Sequence, residues 1–193
     1  MNTVLYQGEL VRLKGRDPEQ FAAAMSRWNR DTEFQRLLDS SVLRVVSKKI
    51  LQEWIDKDFD NHPERDFLFL IHTLQDDRLI GFIGLDGISW SHGDCWVFIG
   101  LGERDTWGKG YGSEAMRLVL CYAFHELNLQ RVSLDVFSYN PRAIRSYEKC
   151  GFVVEGRARG MLNREGQRHD LVFMGILKEE WERTASAGGS QDK

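Results

Sequence analysis

Trp107-Gly108-Lys109-Gly110-Tyr111-Gly112-Ser113 places three glycines at alternate positions, directly before a helix-patterned run from Glu114 to Asn128. Glycine has no Cβ, so such a loop can enter positive φ and bring its amides within hydrogen-bond reach of a ligand. The helix that follows adds the unpaired N–H groups and the positive dipole end of its first turn, which together favour a phosphate or pyrophosphate. Met116, Val119, Leu120, Ala123, Phe124 and Leu127 recur at i, i+3, i+4, i+7, i+8 and i+11. The helix therefore buries one stripe, and its N-terminus is held in place.

Spacing separates the kinds of phosphate loop that compete for these residues. A P-loop requires Gly-x-x-x-x-Gly-Lys-Ser/Thr, which is absent. The dinucleotide fingerprint Gly-x-Gly-x-x-Gly, counted from Gly108, meets Ser113 where its third glycine belongs, and no series of βαβ units follows.

Working outward, Cys95 to Leu101 reads as a strand leading into the loop. Before it, Phe67 to Leu74 and Leu79 to Ile88 form a hairpin around Gln75-Asp76-Asp77-Arg78. Ser47 caps a helix whose stripe is Leu51, Trp54 and Ile55, and Asn29 to Val46 reads as a long polar connection. Asp17-Pro18 opens an earlier helix with Phe21, Ala24, Met25 and Trp28 inward, and Glu9 to Lys14 alternates as a first strand. After the central helix come a strand, Arg131 to Val136, and a short helix started by Tyr139-Asn140-Pro141 and stopped by Gly151. Asn140 suits the N-cap, Pro141 the first turn, and Gly151 the left-handed C′ position. Phe152 to Arg159 and His169 to Leu177 pair around Asn163-Arg164-Glu165-Gly166. Thr184 to Lys193 is small and polar and reads as a disordered tail. Residues 1–183 then form one domain of mixed α/β (α+β) class, a central sheet with helices on both faces.

Composition narrows the function classes. The 193 residues are 42% hydrophobic and 28% charged, which suits one globular core. Net charge is −3 and the pI about 6.0, arguing against a nucleic-acid binder held by bulk positive charge. Cys95, Cys121 and Cys150 are odd in number and widely spaced, and no basic-then-apolar leader pattern opens the chain; both predict a reducing cytoplasm. No apolar run approaches a membrane span. The five histidines, His62, His72, His92, His125 and His169, form no ligand pair with one another or with the cysteines, so no metal is expected.

The glycine loop resembles the acetyl-CoA loop of the GNAT superfamily of N-acetyltransferases, whose pattern is Gln/Arg-x-x-Gly-x-Gly/Ala. Gly110 and Gly112 match, and Trp107 stands in the leading position. A Trp-Gly-Lys-Gly-Tyr run is the usual form in the branch containing ribosomal-protein N-terminal acetyltransferases and polyamine acetyltransferases. Asn140-Pro141-Arg142-Ala143-Ile144-Arg145-Ser146-Tyr147-Glu148-Lys149-Cys150-Gly151-Phe152 resembles the same family's Asn-x-x-Ala-x-x-x-Tyr-x-Lys-x-Gly-Phe helix. The likeness extends over about Glu9 to Trp181. It implies the GNAT fold, with a mixed, mostly antiparallel sheet, and acetyl-CoA attacked directly by an amine without an acyl-enzyme.

Such a transfer needs a neutral amine, donors for the carbonyl oxygen, and a proton for the departing thiolate. From spacing alone Tyr147 is equally a packing residue on the Ile144 face or a positioned acid; the resemblance implies the acid. Asn140 has a capping role whatever else it does, and the resemblance adds cofactor contacts from Asn140, Ala143 and Tyr147. It likewise implies that backbone N–H groups of Ile99, Gly100 and Leu101 face the cofactor, together with Trp107, Gly108, Lys109, Gly110, Tyr111, Gly112 and Ser113. Lys109, Arg142, Arg145 and Lys149 either reach the phosphates or are solvated side chains. Glu103, Asp94 and Asp135 are the candidate bases, each otherwise a surface carboxylate, with a water relay as the further option.

The acceptor falls to Trp28 to Val46, the helix carrying Trp54, and the turn from Trp90 to Asp94, where Asp31, Glu33 and Asp39 either attract a cation or solubilise a loop. An N-terminal α-amine is the expected acceptor. The alternatives are a polyamine or aminoglycoside, and a CoA-binding module without turnover. A monomer or a homodimer fits equally.

Overall fold

The computed structural model describes residues 5–61 and 67–188. The chain divides into two compact units, residues 1–86 with 98–119, and residues 87–97 with 120–193.

The first unit opens with β1 (Val11–Lys14) and α1 (Pro18–Trp28). The Asp17 side chain caps α1 by accepting from Gln20 N at 2.9 Å, and Pro18 occupies the first turn, where its missing N–H is harmless. The segment from Asn29, expected to be irregular, contains a helix, α2 (Thr32–Leu38). Asp31 caps it, accepting from Glu33 N and Phe34 N at 3.0 and 3.3 Å, and buried Phe34 packs its ring 5.9 Å from that of Trp28. α3 (Lys48–Asn61) follows, with Ile50 N on Ser47 Oγ at 3.4 Å. Leu51 faces inward as expected, whereas Trp54 is half exposed and not part of the stripe. β2 (Phe67–Thr73) and β3 (Leu79–Ser89) form the expected antiparallel hairpin. The unit's core gathers Phe21, Ala24, Trp28, Phe34, Leu70, Leu79 and Phe82, and is completed by partly buried Leu38, Ile55 and Trp107.

β4 (Asp94–Leu101) has its first residues in the second unit and its last in the first. α4 (Tyr111–Cys121) starts earlier than the periodicity suggests, because the helix already includes Gly112 and Ser113. It then widens into a π turn, Tyr122–Glu126. Met116, Val119, Leu120, Ala123 and Phe124 are buried as the stripe requires; Leu127 is only partly so, and Leu129 takes the inward place instead.

The rest of the second unit holds β5 (Arg131–Phe137), α5 (Pro141–Lys149), β6 (Val153–Arg164), β7 (Gln167–Leu177) and α6 (Lys178–Gly188). β6 and β7 run further than expected and meet at Glu165-Gly166, both at positive φ (53° and 77°), as a tight two-residue hairpin turn demands. Helix α6 continues to Gly188 through residues expected as a tail, and residues 189–193 lie outside the described ones. What holds α6 is Trp181, whose ring lies 5.4 Å from Phe124 and 4.8 Å from His125 on the π turn, aided by Lys178 N on Gln130 O at 3.0 Å.

The seven strands form a mixed sheet in the order β1-β2-β3-β4-β5-β7-β6. β4 pairs with β5 in parallel, and β1–β2, β2–β3, β5–β7 and β7–β6 are antiparallel. Among the described residues no helix is long and apolar enough to cross a membrane, and no group of His, Cys, Asp and Glu is placed to hold a metal; His62 lies outside them.

Candidate active site

The glycine loop follows a 3-10 turn, Arg104–Thr106, and is tied down at its first residue. Trp107 donates its indole N–H to Leu101 O at 2.8 Å and rests on the first unit's core. The indole thus fastens the loop to the end of β4. Gly108 and Gly110 then take φ of +74° and +93°, left-handed values that L side chains rarely adopt. A Cβ on Gly108 would meet nothing within 4 Å, and one on Gly110 only Leu10 Cδ1 at 3.4 Å. The space beside the backbone at Gly108 is therefore open. Glu114 N donates to Gly110 O at 2.9 Å, joining the last glycine before α4 to the helix's first turn.

Glu114 does more than complement the helix dipole. Its carboxylate accepts from Glu9 N at 2.9 Å and from Leu10 N and Val11 N at 2.7 Å each, binding the start of β1 to the first turn of α4. A Cβ on Gly8 would stand 2.4 Å from Glu114 Cδ, so that glycine lets the backbone close over the carboxylate.

The parallel ladder between β4 and β5 covers only Asp94 to Trp96 against Arg131 to Ser133, while β4 continues to Leu101 and β5 to Phe137. Ile99, Gly100 and Leu101 therefore lie past the end of that ladder. Leu101 O is taken by Trp107, and Gly102 N by Ile80 O at 2.9 Å.

In the second unit, α5 has the caps its sequence announces. Asn140 Oδ1 accepts from Ala143 N at 3.2 Å, and Gly151 has φ +97°. Ala143, Ile144, Ser146 and Tyr147 make the inward face; Arg142, Arg145 and Lys149 are exposed. The Tyr147 ring meets Phe152 edge-on, 6.1 Å between centroids, and among the described residues its hydroxyl has no hydrogen-bond partner. Burial pushes this phenol above its ordinary range, and the Asp135 carboxylate and Cys150 push it the same way. A phenol held there keeps its proton at neutral pH, the state an acid requires. Asp135 is exposed by area, yet the protein around its carboxyl is dense enough to raise that group too.

Both donors to Glu103, Trp28 Nε1 at 2.9 Å and Arg27 at 3.3 Å, fall on Oε1, so among the described residues Oε2 has no donor. Asp94 sits at the other end of β4 from Leu101. The acidic residues expected near an acceptor are otherwise engaged: Arg104 grips Asp31 through both oxygens and Glu33 at 2.7 Å, and Asp39 accepts from Ser41 N. Trp28, expected near an acceptor, is a core residue. Sequence reading misses Glu114 and Arg104, whose polar partners are remote in the chain.

Residues 10–153 match the family model described as an acetyltransferase (GNAT) domain. The chain is 29% identical over 182 residues to the SPbeta prophage-derived uncharacterized N-acetyltransferase YokL of Bacillus subtilis (strain 168), covering 94% of this chain and 98% of that one. It is 35% identical over 109 residues to YdaF of the same organism, provisionally named a ribosomal N-acetyltransferase, covering 56% and 59% of the two chains. The crystal structure of spermidine N-acetyltransferase from Vibrio cholerae in complex with CoA and spermine is similar at a TM-score of 0.74 and 25% identity, over 91% of this chain and 99% of that one.

Proposed function

Because the chain belongs to the acetyltransferase (GNAT) family and is an acetyl-CoA-dependent N-acetyltransferase, we propose that its acceptor is the α-amine of a peptide N-terminus, in the manner of the ribosomal-protein branch. The observation that carries the site is the pair of left-handed glycines just before α4, with open space where a Cβ on Gly108 would stand. On this reading the amides of Gly108 to Gly112 hold the pyrophosphate, with Trp107 fixing the loop and Lys109, Tyr111 and Ser113 lining it. Asn140 and Ala143 line the cofactor's arm. Bound there, acetyl-CoA supplies the thioester carbonyl. N–H groups of Ile99 to Leu101 stabilise the negative charge that grows on its oxygen. Glu103 Oε2 takes the amine's proton, directly or through water, and Tyr147 gives its own to the departing thiolate.

A second reading, a polyamine acceptor, is favoured by the likeness to the Vibrio cholerae spermidine enzyme. Against it stands Arg104, which neutralises Asp31 and Glu33, two of the three carboxylates that would draw a polycation to this part of the chain.

Two measurements test the proposal. Acetylation across a panel of N-terminal peptides, spermidine and aminoglycosides should select the peptides; turnover of spermidine with none of any peptide overturns the acceptor. Gly110→Val should abolish CoA binding by calorimetry, and unchanged affinity overturns the phosphate site.

A further inference from the structure

We propose that Arg104 is a positioning residue for acetyl-CoA, holding Trp107, and with it the glycine loop, against the N-terminus of α2. The inference rests on reading residues 108–112 as the pyrophosphate site.

All three nitrogens of the guanidinium have a carboxylate partner. Its Nε and Nη2 meet both carboxylate oxygens of Asp31, Nη2 to Oδ1 at 2.6 Å, and Nη1 lies 2.7 Å from Glu33 Oε2. Its Cζ stands 5.4 Å from the ring centroid of Trp107. Such a fork and stack belong to a planar guanidinium; an ammonium can supply the charge but not the shape.

Each partner is itself fixed. Asp31 is the N-cap of α2, so one carboxylate serves the helix amides and the guanidinium together. α2 cannot yield cheaply, because Phe34 is buried against Trp28. Trp107 is held at its other edge by Leu101 O. Asp105, the next residue of the 3-10 turn, is bound by Arg78 at 2.6 Å, so neighbouring residues of the turn are anchored in different directions. Exposed ion pairs taken singly contribute little. Here the pair is bidentate, shared with a helix cap and stacked on the residue that begins the phosphate loop, so its loss would be felt in the loop's geometry. An exposed arginine in a short turn gives no such sign in the sequence.

Calorimetric titration with CoA tests this in Arg104→Lys, which keeps the charge. We expect affinity to fall about tenfold, the scale of coupling between residues in direct contact, while the urea midpoint changes little. Asp31→Asn, remote in sequence from the loop, should weaken CoA in the same direction, and the double variant should be no weaker than the worse single. Unchanged affinity in Arg104→Lys, a lowered urea midpoint without an affinity change, or losses that simply add would overturn the inference. Gly110→Val separates the two ideas. If it abolishes CoA binding while Arg104→Lys does not weaken it, only the role of Arg104 fails; if Gly110→Val leaves affinity unchanged, the phosphate site fails and the positioning role with it.

Discussion

The indole of Trp28 fills the space that a side chain at Gly102 would need: a Cβ there would stand 1.9 Å from the ring's Cδ2. The backbone cannot easily step aside, since Gly102 N is bonded to Ile80 O, and Trp28 is tied to Glu103 through its Nε1. Glycine at the end of β4 is thus a packing requirement between the strand and α1. Gly102→Ala should destabilise the fold by about 1–3 kcal/mol, the usual cost of overpacking. It should appear in urea unfolding as a lower midpoint at unchanged slope. A loss under about 0.5 kcal/mol, within the scatter of surface changes, would mean that Trp28 repacks freely.

Glu114 offers a second test of stability. Its two oxygens accept from three backbone amides, and charge-assisted bonds of this kind are the stronger ones. Glu114→Ala should lose about 2–4 kcal/mol, and Glu114→Gln, which keeps one acceptor oxygen, about half of that. Amide hydrogen exchange should accelerate at Leu10 and Val11 ahead of the rest of β1. Protection that stays uniform in both variants would show the start of β1 to be held by other means.

What the sequence makes legible follows the range of the forces involved. α5 can be read outright because its signals are local: Asn140 bonds an amide three residues on, and Gly151 needs only its own φ. The glycine loop can be read for the same reason, together with its likeness to a known pattern. α2 is harder. Asp31, Phe34 and Leu38 have the spacing of a cap and a short stripe, yet the helix is brief and its support comes from Trp28 and Arg104, the latter 73 residues from Asp31. Glu114 and Leu10 are 104 residues apart, and nothing near either residue announces the other. Tertiary partners also decide α6, whose polar, small-residue end looks disordered until Trp181 is seen on the π turn.

Tyr147→Phe removes the proton and keeps the ring on Phe152. Turnover should fall about 10²- to 10⁴-fold, with CoA affinity unchanged by calorimetry; a fall of less than a few-fold while chemistry limits would make Tyr147 a packing residue. The phenol also predicts a pH effect on stability. Its folded value lies above the ordinary 10.0, so the folded chain keeps this proton when the unfolded chain begins to lose it. The associated stability is whole below about pH 10 and falls as pH rises through the folded value. Tyr147→Phe should lessen that alkaline decline in urea midpoints, and an identical decline in both proteins would assign it to other groups.

The acceptor leaves its mark on the pH profile. An α-amine, with a pKa of about 7.7–8.0, is roughly a tenth neutral at pH 7, whereas a lysine-like amine at about 10.4 is almost wholly protonated. Glu103, just past the end of β4, has one oxygen already taken by two donors from α1, which suits a nucleophile needing little help with its proton. With an N-terminal peptide, kcat/KM should rise with a midpoint at about pH 8 and level off by about pH 9. An unassisted polyamine should instead keep gaining rate towards pH 10. A profile still climbing at pH 9.5 with the best acceptor of the panel would therefore reject the α-amine and favour the polyamine, even if some peptide is acetylated slowly.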